Sequence, residues 1–505
     1  MDIITPIARS LAKRRFKGLE RYATEPRQLQ ELQLRRIIKR LAGTQYGTAH
    51  GISSPTDAAA YSKQLPIVNY ESLAPYIERM LRGEQNILTR EKVKYFAKSS
   101  GTTNAKSKYL PLNDEHLQKC HYKGGMDSVY TYLYHHPESN FFAHKAFALA
   151  GSLDAVVPSS KVRTGDLSAV LLTKMPRLGR MIRVPNIHTA LEPKWETKLD
   201  LMTDELIHKD IGNISGVPSW MMLVLNEVLR KSGAQSIQEV WPNLEVFFHG
   251  GVAFSPYRSE YEELLGEGVH YVETYNASEG FFGIQTDPND PSLTLMLDYG
   301  VYYEFIPMED FDEEHLTNAI PLHEVQLGKN YAMVISTLGG LYRYLIGDTV
   351  RFTSDKPYKF ILSGRTKSFI NAFGEELMVS NADVAFARVC DEMEALLGDY
   401  TAAPHFLEGA SQGYHHWIIE WKEAPEDMER FAQRFDQVLK ELNSDYEAKR
   451  YKDITLLPPR LTVVPQGTYY QWMKERKKLG GQNKVPRLAQ DKKYIDELLE
   501  VAKKL

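Results

Sequence analysis

The sequence predicts an α/β fold: a large N-terminal domain of mixed β-sheets flanked by helices, then a small α+β domain. Three observations predict it. The chain has 505 residues, too many for one ordinary hydrophobic core. Between residues 94 and 365, short β-rich runs alternate with helical stretches, the pattern of α/β layers. After GRTKSF the texture changes. Two lobes in turn imply a cleft.

Helical patterns dominate the first 90 residues. In RQLQELQLRRIIKRLAG apolar positions recur at three- and four-residue spacing and a glycine follows, so this part reads as scaffold. The strand-like runs are VKYFA, NLEVFFHGG, HYVETY, YYEFIP and YAMVIST, and SWMMLVLNEVLRKSG reads as a helix between them. Beyond residue 366 follow a helix, NADVAFARVCDEMEALL, a strand, HHWIIEW, a second helix, EDMERFAQRFDQVLKEL, a short strand in ITLLPPRLTVVP and a glycine-containing basic tail. The expected domains are therefore 1–366 and 367–505. Neither an internal repeat nor a low-complexity linker interrupts them.

Composition narrows the partners. Charged residues make up 25% of the chain and the formal net charge is −4, which favours neither nucleic acid nor an anionic membrane. Small-molecule partners are expected. Cys120 and Cys390 are the two cysteines, far apart and without CxxC spacing, which argues against a disulfide framework and a zinc knuckle. No apolar run reaches the roughly 18 to 20 residues needed to span a bilayer. The start, MDIITPIARSLAKRRFKGLERY, lacks the apolar core of a secretory signal. It is basic and weakly amphipathic, as a transit peptide or membrane-surface helix would be, and reads better as a solvated helix. A cytoplasmic monomer is expected.

The chemistry is carried by five short stretches. In FAKSSGTTNAKSKYLPL, Gly101 stands among Ser99, Ser100, Thr102 and Thr103, ahead of Lys106 and Lys108. Backbone N–H groups, hydroxyls and ammonium groups at close range make an anion cradle, most naturally for phosphate. It is not a P-loop, because GxxxxGK[ST] needs a second glycine where Lys106 stands. Read alone, it is also a polar surface turn. YVETYNASEGFFGIQ ends a strand-like segment and presents Glu279 on a short loop. Such a carboxylate suits Mg²⁺ held between protein and substrate phosphates, or simply caps a turn. YRYLIGDTVRF places Asp348 at a Gly-Asp turn between two strands, where it can accept both hydroxyls of a ribose or serve the hairpin alone. ILSGRTKSF adds Arg365 as a cation for ribose or phosphate, and KKLGGQNKVPRL presents Lys484 on a loop after two glycines. A solvated basic tail is the plainer reading of that last stretch.

Taken together and in this order, these stretches resemble the adenylate-forming enzymes that activate carboxylic acids with ATP. In detail they resemble the acyl acid amido synthetases of the Gretchen Hagen (auxin-responsive promoter) family. The matching segments are SSGTTNAKSKYLP, YNASEGFFG, YRYLIGD and WMKERKKLGGQNKVPR, joined by GVPSWMM and FFHGGVAFSPY, so that the resemblance runs from residue 60 to 490. The compact chain looks like a bacterial member. Two departures stand out: Leu345 where a basic residue is more usual, and Lys367 where many adenylating enzymes carry aspartate.

The resemblance implies an adenylate-forming fold with a mobile C-terminal domain, and ATP and Mg²⁺ as cofactors. It implies nucleotide binding by Ser99, Ser100, Gly101, Thr102, Thr103, Lys108, Gly250, Gly251, Tyr275, Asn276, Ala277, Ser278, Asp348 and Arg365, and metal binding and catalysis by Glu279. Lys484 is the implied catalytic cation and Lys367 the hinge. Ser219, Trp220, Met221 and Val252 would line the acyl pocket. Trp220, Met221, Met222 and Leu225 also read as ordinary core. A carboxylic acid would be activated as acyl-AMP with release of pyrophosphate, and the amine of an amino acid would then take the acyl group and release AMP. A ligase passing the acyl group to coenzyme A would share every nucleotide residue, and a non-catalytic nucleotide- or acyl-binding module is the alternative from another class.

Overall fold

The computed structural model describes residues 2–52, 58–99, 108–154, 160–251, 254, 257–312, 315–366, 369–370, 372–373, 375, 377–406, 413–450, 456–479, 484–489 and 491–505. The chain divides into two compact units, one made of residues 1–251, 264–346 and 350–361, the other of 252–263, 347–349 and 362–505.

The strands are, in chain order, β1 (Tyr95–Ser99), β2 (Lys108–Leu112), β3 (Lys145–Ala148), β4 (Arg163–Gly165), β5 (Arg183–Val184), β6 (Ile211–Gly216), β7 (Val246–Gly250), β8 (His270–Ala277), β9 (Gly280–Ile284), β10 (Leu293–Leu295), β11 (Val301–Pro307), β12 (Ile320–Pro321), β13 (Asn330–Thr337), β14 (Tyr344–Asp355), β15 (Tyr358–Arg365), β16 (Phe369–Ile370), β17 (Leu377–Met378), β18 (Leu396–Phe406), β19 (Gly413–Glu423) and β20 (Arg460–Val464). Twelve of them form one sheet in the order β12-β11-β13-β14-β15-β10-β9-β8-β7-β6-β3-β5. From β5 to β8 neighbouring strands are parallel. Parallel neighbours need crossovers, and the helices Trp195–Leu206, Pro218–Ser232 and Arg258–Leu265 supply them before β6, β7 and β8. At β8 the direction of pairing changes, because a two-residue turn returns the chain into antiparallel β9. The helix Pro218–Ser232 stops at Gly233, whose φ of 71° suits a residue without Cβ.

The segment from 379 onward folds around the three-stranded sheet β18-β19-β20. Helices Val379–Glu392 and Met428–Leu442 cover it, and Phe386, Tyr400, Trp417, Phe431 and Phe435 fill the space between. Three details differ from the sequence expectation. The helical pattern was expected to reach Leu397, yet the helix ends at Glu392; Glu394 takes a φ of 52° and turns the chain into β18. Among the described residues of ITLLPPRLTVVP the strand is Arg460–Val464, since Pro458 and Pro459 have no N–H for a ladder. The basic tail carries two helices, Thr468–Glu475 and Lys493–Ala502.

Within the large sheet, Arg343 crosses to β11 and grips Glu304 with two hydrogen bonds, Nε to Oε2 at 3.0 Å and Nη2 to Oε1 at 2.9 Å. Its Nη1 donates to the carbonyls of Ser62 and Leu65, both at 2.7 Å, fixing the N-terminal scaffold to the sheet. Both side chains are buried. Removing one partner strands the other charge, so Arg343→Met is expected to cost about 3 to 5 kcal/mol. Adding Glu304→Leu should recover much of that. Denaturant titration of the single and double variants measures both, and a loss under about 1 kcal/mol for Arg343→Met would contradict the account.

Candidate functional site

Strands β3, β6, β7 and β8 end on one edge of the sheet, at Ala148, Gly216, Gly250 and Ala277. In open α/β sheets ligands bind outside this carboxyl edge. Three of the segments singled out by sequence leave from it: GVPSWMM after β6, HGG at the end of β7 and SEG after β8. At Gly250 a Cβ would lie 2.1 Å from the Thr274 carbonyl oxygen, and Gly251 has a φ of 87°. Only glycine serves at both positions. Tyr275 is buried, its ring edge-on to Phe282 and Phe360 at 5.1 and 6.2 Å.

The β8–β9 turn consists of Ser278 and Glu279, both buried, with Ala277 paired to Gly280 across it. The ladder is irregular between Tyr275 and Asn276, and Asn276 is exposed. Such irregularities re-aim side chains beside active sites. Behind the turn runs the helical segment that follows β2: Asp114–His116, a π-helical turn Leu117–Tyr122, and an α-helix Lys123–His135. His116 Nε2 donates to the Glu279 carbonyl at 3.0 Å, His121 Nδ1 lies 3.0 Å from Asn276 Oδ1, and Phe281 N donates to Cys120 Sγ at 3.1 Å. Burial pushes the imidazole of His116 down to about 4. Burial, and His116 beside it, push His121 down to about 3, and burial pushes the Cys120 thiol up to about 12. Both histidines are therefore neutral near pH 7, each with one N–H to place. Sequence reasoning missed all three residues. Two histidines five apart match no α-helical face, and the only available signal was the wider π turn itself, in which residues five apart are in register.

The proposed phosphate loop begins at the end of the β1–β2 ladder, where Ser99 pairs with Lys108. Ser100, Gly101, Thr102 and Thr103, with the side chain of Ser99, lie outside the described residues. Lys108 Nζ stands 5.6 Å from the centre of the Tyr70 ring, whose hydroxyl accepts from Tyr109 N at 2.9 Å. Of the proposed acyl pocket, Val252 and the side chain of Ser219 are likewise outside. Trp220, Met221, Met222 and Leu225 are buried. Trp220 meets Trp195 edge to face at 4.9 Å, and Met221 Cε lies 3.1 Å from where a Cβ on Gly216 would stand. Lys198, which sequence reasoning also passed over, is buried at the same edge and donates to the carbonyls of Ala150 and Gly151 at 3.1 and 2.9 Å.

In the second unit, Asp348 Oδ1 and Arg365 Nε form an ion pair at 3.0 Å. Asp348 does not occupy a turn between two strands, as its Gly-Asp context predicts. It lies inside the single strand β14, which bends at Gly347 with a φ of 88° while Thr366 N donates to the Gly347 carbonyl at 2.9 Å. A glycine in a strand interior marks such a bend without ending the ladder. Leu345 packs among Ile67, Ile306, Ala332 and Val334 in the first unit, where a basic residue would need a buried partner. Lys367 is outside the described residues. Lys484 is exposed in a segment between helices. Three residues on, Arg487 is held by Asp399 at 2.7 Å, by the Tyr257 hydroxyl at 3.0 Å and over the Tyr400 ring at 4.5 Å.

Models of the GH3 family match the chain along most of its length: the GH3 family N-terminal domain at residues 15–180 and 155–269, the central domain at 294–365 and the C-terminal domain at 380–493. Among relatives, an indole-3-acetic acid-amido synthetase, GH3.8 of Oryza sativa subsp. indica, is 25% identical over 94% of this chain and 90% of its own. A jasmonoyl–L-amino acid synthetase, JAR6 of Nicotiana attenuata, is 24% identical over 91% and 90%. Among solved structures, the GH3.15 acyl acid amido synthetase superposes with a TM-score of 0.77 at 18% identity, covering 97% of this chain and 95% of that one. A 2-hydroxyisobutyryl-CoA ligase in its postadenylation state with 2-HIB-AMP gives 0.61 at 12%, covering 94% and 92%. The fold is thus that of the adenylate-forming enzymes.

Burial pushes the Lys198 ammonium down to about 8, with Asp166 and Glu192 pulling it back up. The unfolded chain therefore holds this proton to higher pH than the folded one does, and folding gains stability as pH rises from about 8 to 10. Relative to Lys198→Met, the wild type should gain on the order of 2 kcal/mol over that window. Denaturant titrations of both proteins at pH 7.5 and 10 measure it, and a difference independent of pH would contradict the assignment.

Proposed function

The chain belongs to the GH3 family, and on that premise we propose that it is an ATP-dependent acyl acid amido synthetase, activating a carboxylic acid as acyl-AMP and passing the acyl group to the amine of an amino acid. The observation that carries this reading within the molecule is the turn of buried Ser278 and Glu279 at the carboxyl edge of the parallel strands, beside the glycines ending β7. In the first half-reaction the substrate carboxylate attacks the α-phosphorus of ATP and pyrophosphate leaves. The protein contributes positioning and charge stabilisation more than covalent chemistry.

Backbone N–H groups and hydroxyls of Ser99, Ser100, Gly101, Thr102 and Thr103 hold the β- and γ-phosphates in this reading, with Lys108 close by in sequence. Gly250, Gly251, Tyr275, Asn276, Ala277 and Ser278 surround the nucleotide, and Asp348 and Arg365 hold its ribose. A single carboxylate on a short turn fits Mg²⁺, an ion that takes few protein ligands and keeps its remaining contacts with water and phosphate. Glu279 would hold it, and the ion would neutralise charge on the departing pyrophosphate. Ser219, Trp220, Met221 and Val252 line the acyl slot. Lys484 neutralises charge building up at phosphorus. It must then withdraw to admit the amine, so residues 367–505 rotate about Lys367 between the half-reactions. The reading extends to a monomer acting in the cytoplasm, with neither nucleic acid nor membrane as partner.

A panel of carboxylic acids scored by acid-dependent exchange of labelled pyrophosphate into ATP tests the first half-reaction. Exchange with none of a broad panel would sink the reading. In the same assay Lys484→Ala is expected to lose orders of magnitude, yet to convert a prepared acyl-adenylate to amide near the wild-type rate. Equal losses in both steps, in a folded variant, would remove the two-orientation mechanism.

The acceptor attacks as a neutral amine. Amide formation should therefore rise with pH through the range in which that amine deprotonates, provided aminolysis limits the rate. Supplying an amino acid and coenzyme A together and weighing the product decides the acceptor, and a thioester as sole product would make the protein an acyl-CoA ligase.

A further inference from the structure

The π turn behind the β8–β9 turn does more than pack. His116 immediately precedes it and His121 is its second-last residue, with ring centroids 5.1 Å apart and rings nearly perpendicular, and both are buried. Each uses one ring nitrogen toward the hairpin. A carbonyl oxygen only accepts, so His116 carries its proton on Nε2, facing Glu279 O. At His121 the partner of Nδ1 is the side-chain oxygen of Asn276, which also only accepts, so the proton is on Nδ1. Nε2 of His121 is buried and has no hydrogen-bond partner among the described residues; in this tautomer it is a bare acceptor, which costs less to bury than an unpaired N–H.

The consequence falls on Asn276. Its Oδ1 is turned inward by a buried donor, and its amide NH₂ makes no hydrogen bond among the described residues while the residue itself is exposed. The irregular pairing between Tyr275 and Asn276 lets this side chain leave the regular alternation of β8. Resting on the ATP-dependent reading above, we propose that His121 is a positioning residue that fixes the Asn276 amide with its NH₂ presented to bound ATP as a hydrogen-bond donor, while His116 holds the Glu279 backbone in register beside it. An unrestrained asparagine would offer oxygen or nitrogen equally, and an acceptor turned toward phosphate or ribose oxygens would repel them. The buried imidazole removes that choice.

The amide nitrogen of asparagine can occupy the place of a histidine Nδ1, and that of glutamine the place of Nε2. Calorimetric titration of ATP into the full-length protein should therefore show His121→Asn within about twofold of wild type and His121→Gln weakened roughly tenfold, the worth of one well-placed hydrogen bond. At His116 the order reverses: Gln is retained and Asn weakened. Asn276→Ala should weaken ATP by a similar roughly tenfold, and His121→Gln added to it should weaken ATP no further, because the histidine acts through the asparagine. In pyrophosphate exchange the loss falls on KM for ATP and leaves KM for the acid alone.

Cooperative thermal unfolding of each variant checks the fold. If Asn and Gln at position 121 lose affinity alike, or if the His121→Gln and Asn276→Ala effects add, the side chain only fills space and the inference falls while the function stands. A wild-type protein that does not bind ATP overturns both.

Discussion

The turn that carries Glu279 exists in its observed place because two glycines let a helix and a hairpin meet backbone to backbone. A Cβ on Gly124 would lie 2.3 Å from the Phe281 ring, and one on Gly280 would lie 2.7 Å from the Phe282 ring and 3.4 Å from Cys120 Sγ. Neither approach tolerates a side chain, since interiors are already close-packed. With both positions bare, Cys120 Sγ reaches Phe281 N, His116 reaches the Glu279 carbonyl and His121 reaches Asn276. The hairpin is thereby fastened by three side chains from one turn of helix. That helix starts at Asp114, immediately after β2. The strand that leaves the proposed phosphate loop and the turn that holds the proposed metal ligand are therefore tied to one rigid element.

The sheet accounts for why the turn is needed where it is. Strands β3, β6, β7 and β8 run parallel and present four carboxyl ends together, and β8 is the last of them. At its end the chain reverses into β9. A parallel neighbour would have carried the chain away through a crossover helix. The tight reversal instead leaves Ser278 and Glu279 at the edge, next to Gly250 and Gly251, with their positions set by strand pairing on one side and the π turn on the other. Sites built on regular elements in this way hold their geometry better than sites on long loops.

Much of this was legible because it is written in local pattern. The strands VKYFA, NLEVFFHGG and HYVETY, the helix ending at Gly233 and the two helices covering β19 all follow from periodicity and punctuation. The glycine and carboxylate motifs stood out by residue type at short spacing, and the structure brings HGG and SEG to one edge of the sheet. What escaped depends on distant partners or on a departure from regular geometry. β18 was hidden in a helical pattern that runs on past Glu392 in composition but not in backbone, since Glu394 takes a left-handed conformation. Asp348 looked like a turn because Gly-Asp usually is one, and only the continuation of β14 through Gly347, from Tyr344 to Asp355, makes it a bend. His116, His121, Lys198 and Arg487 resemble solvated polar residues until the elements they reach, at Glu279, Asn276, Gly151 and Asp399, are brought to them.

Arg487 bears on what a catalytic lysine nearby would need. A cation required in one step and excluded from the next must first of all start from a fixed point. The backbone meets the first condition: Ala402 N donates to the Arg487 carbonyl and Ala489 N to the Ala402 carbonyl, both at 2.8 Å, and Thr401 Oγ1 donates to the Pro486 carbonyl at 2.8 Å. The segment from Pro486 is thus an added edge to β18. The Arg487 side chain locks it from below through Asp399, Tyr257 and Tyr400. Lys484 itself is exposed, two residues before the anchored stretch begins. Its tether to that stretch is short, so in the proposed two-orientation mechanism a large displacement of its charge would have to carry β18 with it.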